Sequence, residues 1–207
     1  MNVKTQFWLS VWQSFSNKLL LIYTVVLGLG GGLGSASWIL AKDYPVGAIT
    51  RGQWTLWPDH GVPSVDPYAL AAISTNGDIL LGKGEGLVLK ARYDRDGKPL
   101  VSSCRYQIGP NVPPARIWTI TIYDDNGRLI ETPQQRHGFS SPELLRDENG
   151  DFTINASALP LPGNWVQLKG YAPFEVVLRL YDLPASLNPS SIDVKSLPTI
   201  TRRACVS

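Results

Sequence analysis

One stretch near the N-terminus carries no charged residue over about 23 positions, from Leu19 to Ala41, between Lys18 and Lys42. At 1.5 Å per residue, a helix of this length spans the roughly 30 Å hydrocarbon core of a bilayer. The sequence therefore predicts one transmembrane helix over residues 19–41. Two alternatives stay open: a cleaved signal peptide, whose apolar region usually runs about 7–15 residues, and a helix buried in a soluble domain.

The segment ahead of this span, residues 1–18, is expected to be short and cytoplasmic or interfacial. Its large apolar residues share one face of a helix. They are Phe7, Trp8, Val11, Trp12 and Phe15. This pattern predicts either a helix lying on the membrane surface or an extension of the anchor.

The orientation of the anchor does not follow from its flanking charges, which are balanced on the two sides. A short tail normally stays inside while a large domain is exported, and two cysteines suit an oxidising compartment. We therefore expect a single-pass protein of the inner membrane with its C-terminal domain in the periplasm. Gly28/Gly32 and Gly30/Gly34 also have the spacing that lets membrane helices approach closely. Small residues are common in membrane helices, so association through them is one of two interpretations.

The net charge of +2 arises in the N-terminal segment, because no acidic residue precedes Asp43. The remainder is nearly neutral and shows no basic stripe, which argues against nucleic acid as a partner.

The sequence predicts neither a metal site nor a cofactor. His60 and His137 are the only histidines, and neither has a companion at metal-ligand spacing. The Gly77–Lys83 stretch approaches a phosphate-binding loop, but Gly84 stands where magnesium binding needs Ser or Thr.

Beyond the anchor, a Pro-, Gly- and Trp-rich connection over residues 42–65 is expected to pack on a domain over residues 66–207. Asp66 and Pro67 indicate a short helix with an Asp N-cap. Alternating apolar residues and Gly, Pro, Asn or Asp turns then predict strands. The predicted strands are Leu87–Tyr93, Leu100–Ile108, Arg116–Tyr123, Arg128–Glu131, Phe152–Ala156, Trp165–Leu168, Phe174–Tyr181 and Ile200–Cys205. We interpret the first two as a hairpin, and expect a mainly β, jelly-roll-like sandwich with one or two short helices.

Two strands suggest a surface for a ligand or partner. If they share a sheet, their polar faces combine into one surface with tyrosine rings and a guanidinium group, suited to sugar hydroxyls or a carboxylate. The candidate residues are Thr119, Thr121, Tyr123, Arg179 and Tyr181, with Arg136, Asn164 and Trp165 at the border. The alternative is a solvated face on which Arg179 forms an ion pair with Glu175.

Cys104 and Cys205 are the only cysteines, and both lie in the part expected to be exported. We predict a disulfide between them, with two buried free thiols as the alternative.

An ordered set of motifs resembles the bacterial domain-of-unknown-function family 1214. The motifs are Asp66-Pro67-Tyr68, Pro113-Pro114-Ala115-Arg116, Trp118-Thr119-x-Thr121-x-Tyr123-Asp124, Asn149-Gly150-Asp151, Asn164-Trp165 and Leu178-Arg179-Leu180-Tyr181. The resemblance covers about residues 66–203 and implies a β-sandwich in the cell envelope. It implies no agreed reaction and supplies no catalytic residues. Longer relatives carry a second domain, family 1254, where this chain has the anchor.

The first functional hypothesis is a membrane-anchored, non-catalytic domain that binds an envelope protein or glycan, or is part of an envelope complex. The alternative is a hydrolase or other enzyme acting on an envelope glycan or a small molecule. A pocket with two carboxylates, or with a histidine and an acid at hydrogen-bond distance, would favour the enzyme.

Overall fold

The computed structural model of the chain describes residues 3–39, 47–58, 66–76, 81–82, 85–184 and 187–205. The chain divides into two compact units, residues 1–44 and 45–207.

The first unit is built on one helix, α1, which runs from Val3 to Ile39. The helix is continuous through Lys18, so its backbone extends the predicted anchor toward the N-terminus. The side chains of the aromatic stripe at positions 7–15 lie outside the described residues. Within α1, the 22 residues Asn17–Trp38 have a mean hydropathy of 1.8 and are long and apolar enough to cross a membrane.

Hydroxyl groups within this apolar stretch bond to the helix's own backbone. The Oγ1 of Thr24 donates to the carbonyl of Leu20 at 2.9 Å, and the Oγ of Ser37 donates to Gly34 at 2.9 Å. A polar side chain that satisfies itself in this way can lie in lipid at low cost.

The second unit contains ten strands and one short α-helix in its described part. In chain order the elements are β1 (Ile49–Arg51), β2 (Trp54–Leu56), α2 (Pro67–Asn76), β3 (Gly86–Ala91), β4 (Cys104–Gly109), β5 (Ile117–Asp124), β6 (Gly138–Ser140), β7 (Ile154–Ser157), β8 (Asn164–Gln167), β9 (Phe174–Tyr181) and β10 (Thr199–Cys205). Three short 3₁₀ turns lie at Ser141–Glu143, Pro189–Ser191 and Val194–Ser196. The predicted cap of α2 is present, since the Oδ1 of Asp66 accepts from the amide of Ala69 at 3.2 Å.

The strands form two sheets. The six-stranded sheet has the order β1-β2-β3-β9-β5-β6, and the four-stranded sheet has the order β10-β4-β7-β8. All neighbours are antiparallel except β7 and β8, which are parallel. The predicted connection at residues 42–65 is described only over 47–58, where it supplies the edge strands β1 and β2.

The inner faces of the two sheets share one apolar core, which confirms the mainly β sandwich. Along β5 and β9 every second residue points into this core. Aromatic rings join the layers: Tyr106 on β4 and Phe174 on β9 meet edge to face with centroids 5.4 Å apart. Burial raises the pKa of Tyr106, and its hydroxyl oxygen accepts a hydrogen bond from the amide of Val101 at 3.0 Å.

The predicted hairpin between the first two strands is wrong, because β3 and β4 lie in different sheets. The turn itself is present: Tyr93 pairs with Pro99, and the Oδ1 of Asp94 accepts from the amide of Lys98 at 2.9 Å. After the turn the chain crosses to the other layer. Alternation reports which face of a strand is buried, whereas the choice of neighbouring strand depends on contacts distant in sequence.

β10 is held by contacts from the N-terminal part of the domain. The side-chain amide of Gln53 donates to the carbonyl of Ile200 at 2.7 Å and accepts from its amide at 2.9 Å. Trp54, 1% exposed, donates its indole N–H to the carbonyl of Pro198 at 2.8 Å. These bonds connect the β1–β2 edge of one sheet to β10 of the other.

The predicted disulfide joins Cys104 and Cys205. Cys104 is 3% exposed, and it lies opposite Cys205 in the β4–β10 register. The bond closes a loop with a sequence separation of 101 residues.

We expect Cys205→Ser to lower the free energy of unfolding by about 4–5 kcal/mol, because it releases this long loop in the unfolded chain. Cys205 is exposed, so the change removes the bond without opening the core. Urea unfolding of the oxidised protein and the variant measures the difference. Two alkylatable thiols in the oxidised wild-type protein would contradict the prediction.

We expect Gln53→Glu to destabilise the domain by about 1–2 kcal/mol at neutral pH. A carboxylate still accepts from the amide of Ile200 but cannot donate to its carbonyl, and it places negative charge beside that oxygen. The matched control is the same change at the exposed Gln134, for which thermal unfolding is expected to stay unchanged. Equal effects at both positions would refute the role of the double hydrogen bond.

Candidate functional site

The two strands that carry the predicted surface are neighbours at the centre of the six-stranded sheet. β5 pairs with β9 in a register that places Thr119 opposite Arg179 and Tyr123 opposite Glu175. Because the apolar partners of this register face the core, these polar side chains share the opposite face. We call this side of the sheet the outer face. The condition on which the sequence prediction rested, a shared sheet, is therefore met.

Arg179 and Tyr123 are in direct contact on the outer face. The Nη1 of Arg179 donates to the Tyr123 hydroxyl at 3.1 Å, and the guanidinium carbon lies 5.4 Å from the centroid of the tyrosine ring. The ring and the hydroxyl together fix the position of the guanidinium group. The Nε of Arg179 is buried and has no hydrogen-bond partner in the described part of the chain.

The ion pair between Arg179 and Glu175, which belonged to the alternative interpretation of this face, is not formed. Glu175 pairs instead with Arg92, whose Nε lies 3.1 Å from Oε2. Four residues along a strand separate side chains by about 13 Å, whereas adjacent strands lie about 4.8 Å apart. The β3–β9 register, with Ala91 opposite Val176, brings Arg92 beside Glu175.

This pairing leaves the outer face with an uncompensated positive charge. Glu175 is 5% exposed, and its carboxylate is already matched by Arg92. Among the described residues, Arg179 forms no ion pair. Half-buried Thr119 and Thr121 and the buried Val177 surround it along β5 and β9.

Tyr181 lies on the same face near its end, opposite Ile117, which is 43% exposed. The outer face thus contains five of the eight predicted site residues. They are Thr119, Thr121, Tyr123, Arg179 and Tyr181.

The other predicted residues do not join this surface. Asn164 and Trp165 lie on β8 of the four-stranded sheet. Asn164 is 4% exposed and holds the backbone of Leu145 by two hydrogen bonds of 2.8 Å, and Trp165 donates its indole N–H to Ser157 Oγ at 3.0 Å. Asn164 thus stabilises the loop at Leu145, and Trp165 stabilises the end of β7.

Arg136 is also directed elsewhere. Its guanidinium carbon lies 4.7 Å from the centroid of the Phe139 ring. Phe139 pairs with the core residue Ile120 and is buried on the inner side of β6. Arg136 is thereby placed at the edge of the core, and no contact joins it to Arg179 or Tyr123 within the described residues.

The histidines do not form a recognisable catalytic or metal-binding centre in the described structure. His60 lies outside the described residues, and the Nδ1 of His137 is buried without a hydrogen-bond partner. No group of three or more His, Cys, Asp or Glu side chains that could hold a metal occurs among residues with described positions.

Two clefts lined by described residues lie elsewhere on the domain. One of about 710 Å³ lies between β2, the turn after β3 and the start of β10, and one of about 370 Å³ lies at the turn after β5. In the larger cleft the buried carboxylate of Asp94 is used by the turn and by Arg202, whose Nε lies 2.7 Å from Oδ2. Its charge is therefore already compensated within the fold.

Comparison with known proteins confirms the resemblance inferred from the sequence. Residues 85–185 match the family model described as "Protein of unknown function (DUF1214)". The matched segment includes β3 to β9 and therefore all residues of the outer face named above. No curated protein matches the chain.

The fold is similar to that of one solved structure with a TM-score above 0.5. The VPA0106 protein from Vibrio parahaemolyticus is similar with a TM-score of 0.54 and 23% identity, over 67% of this chain and 36% of that one. A putative uncharacterized protein from Burkholderia cenocepacia matches with a TM-score of 0.45 and 15% identity, over 82% of this chain and 40% of that one. The chain thus spans less than half the length of either protein.

Arg179 and Arg92 lie in different environments. We therefore expect their removal to change the free energy of unfolding by different amounts. We expect Arg179→Met to change the free energy of unfolding by no more than about 1 kcal/mol, because losing one hydrogen bond is offset by removing an unpaired, partly desolvated charge. Arg92→Met, the matched variant, leaves the buried Glu175 carboxylate without its partner. Since Arg92 itself is 30% exposed, we expect a loss of about 2–3 kcal/mol.

Urea unfolding of both variants and the wild-type protein tests this difference. A large loss for Arg179→Met, equal to that for Arg92→Met, would show that Arg179 serves the fold.

Proposed function

We propose that this chain, which carries a DUF1214 domain over residues 85–185, is a membrane-tethered binding protein of the cell envelope. In this proposal α1 crosses the inner membrane once, the β-sandwich lies in the periplasm, and a component of the envelope binds non-covalently to the outer face. The domain acts by binding and not by catalysis.

The location is supported by two independent features of the chain. The Asn17–Trp38 stretch is long and apolar enough to span a bilayer. The Cys104–Cys205 bond is of a kind that persists in oxidising compartments and is rare in reducing ones. Gly28 and Gly32 lie within the apolar stretch, and association with another membrane helix through them stays a prediction.

The observation that carries the binding proposal is the uncompensated guanidinium of Arg179. A structural arginine at a half-buried position is normally paired, because desolvating a charge without a partner is costly. Arg179 has a tyrosine contact but no carboxylate among the described residues. Groups kept at a cost to stability are typical of binding surfaces.

The tether predicts a defined topology. We expect a periplasm-dependent reporter fused after Ser207 to be active in cells, and a cytoplasm-dependent reporter at the same point to be inactive. The intact chain should sediment with membranes and retain α1. The reverse reporter pattern, or a mature chain that begins beyond α1, would contradict the tether.

The position of the binding surface can be tested by site-specific photo-crosslinking in cells. A photoreactive residue at Ile117 reports on the outer face, and one at the exposed Arg105 on β4 reports on the four-stranded sheet as the matched control. We expect a discrete crosslinked species from position 117 and none from position 105. No product from position 117 in a folded, membrane-bound protein would refute binding at the outer face.

A further inference from the structure

We propose that the outward side of the four-stranded sheet docks on a lipid surface, the anionic headgroups of the bilayer that α1 crosses. This inference uses the tether of the proposed function and adds a second contact, made by the other sheet. We call this outward side of β10, β4, β7 and β8 the docking face.

The strands of the docking face carry no acidic side chain. β4, β7, β8 and β10 contain neither Asp nor Glu, whereas β5 and β9 of the other sheet contain Asp124 and Glu175. The exposed cations on these strands are Arg105 on β4 and Arg203 on β10. Among the described residues neither arginine forms an ion pair. A sheet face with cations and no acid attracts an anionic surface.

The two arginines lie side by side at one end of the sheet. Arg202 pairs with Tyr106 in the β4–β10 register, so the next residues along these antiparallel strands, Arg203 and Arg105, are neighbours. The acidic residues within 147–151 precede β7 and lie toward the opposite end, because β7 runs antiparallel to β4. The positive charge of the two arginines is therefore concentrated at one end of the docking face.

An exposed apolar loop lies at the same end. The loop between β7 and β8, residues 158–163, reads Ala-Leu-Pro-Leu-Pro-Gly. The side chain of Asn155, which faces away from the core on β7, donates to the carbonyl of Pro162 at 3.3 Å and so draws the loop over the docking face. Leu159 is 72% exposed, and its carbonyl accepts from the Oγ of Ser157 at 2.6 Å. Ser157 ends β7 on the side where the arginines lie.

Hydrogen bonds hold two further side chains on this face. The indole N–H of Trp165 donates to Ser157 Oγ at 3.0 Å, so the ring extends from β8 toward β7. The Nε of Arg203 donates to Gln107 Oε1 at 2.7 Å. Tryptophan rings are enriched at the membrane–water interface. Exposed leucine, a tryptophan ring and arginines without acids are together typical of surfaces that bind anionic bilayers.

The tether supplies the proximity that this contact needs. Residues 39–48 separate the apolar stretch from β1 in the sequence, and ten residues reach at most about 35 Å. Binding on a short linker is intramolecular, so a few weak contacts to lipid suffice. A lipid surface at the docking face also agrees with the absence of a protein crosslink expected from position 105.

The test uses the full-length chain in nanodiscs of phosphatidylcholine with or without phosphatidylglycerol, with a single chain in each disc. A nitroxide attached to Leu159→Cys, in protein whose Cys104–Cys205 bond is closed, reports on the docking face. The same label on Ile117→Cys reports on the outer face as the control. We expect phosphatidylglycerol to lower collisions of the label at 159 with a water-soluble paramagnetic relaxant, and to leave position 117 unchanged. High salt should reverse the effect, because ions screen the contact.

Removing the arginines separates docking at this face from an effect of net charge. We expect Arg105→Gln with Arg203→Gln to lower the ratio of docked to free domain by roughly tenfold or more. The matched control, Arg116→Gln with Arg128→Gln, removes the same charge at exposed positions outside the four-stranded sheet. This control should keep the protection of position 159.

Docking is refuted if the accessibility of position 159 is the same with and without phosphatidylglycerol, or if the control variant loses protection as fully as Arg105→Gln with Arg203→Gln. A chain that inserts into the discs and gives either result refutes the docking but keeps the tether. A chain that does not insert refutes the tether, and the docking with it.

Discussion

The antiparallel pairing of β5 with β9 is the constraint on which both the core and the candidate surface depend. Its register runs from Ile117 opposite Tyr181 to Asp124 opposite Phe174. Side chains alternate between the two faces of a strand, so a slip by one residue would turn the apolar set toward solvent. Burial of the inner face therefore fixes the outer face as well. Thr119 and Arg179 lie opposite each other because Ile120 and Leu178 are paired in the core.

The second determinant is competition for one carboxylate. Glu175 has two arginines on its side of the sheet, Arg179 on its own strand and Arg92 beyond the end of β3. Arg92 pairs with the carboxylate because it lies one strand spacing from Glu175. Arg179 is farther away, since four residues of extended chain separate it from Glu175. The availability of Arg179 is thus a consequence of sheet geometry and not of the composition of the surface.

The sequence predicts those features that depend on local periodicity. β9 matches its predicted bounds, Phe174–Tyr181, and β5 is shifted by one residue to Ile117–Asp124. The two-residue period of a strand is read directly from the chain, and so is the division into buried and exposed faces. The disulfide was predictable because the chain contains only two cysteines.

Features that depend on contacts distant in sequence were not predictable in the same way. Crossing of the chain between sheets after Asp94 has no local signal beyond the turn itself. Asn164 and Trp165 belong to the parallel β8 strand, whose position follows from its pairing with β7. Arg92, however, had a usable signal: it occupies an outward position on the first predicted strand. Once β3 and β9 are known to be neighbours, its pairing with Glu175 follows.

The contacts that close the fold lie apart from the outer face that we propose for binding. The disulfide, the double hydrogen bond from Gln53 to Ile200 and the Asp94–Arg202 ion pair all hold β10 or its connection to the first sheet. None of them involves Arg179, whose hydrogen bond in the described structure goes to Tyr123 on the adjacent strand. A domain fixed in this way can retain an unpaired charge on the opposite sheet without losing its fold, because the closure of the chain does not depend on that charge. Substitutions on the outer face would therefore leave the links that close the sandwich intact.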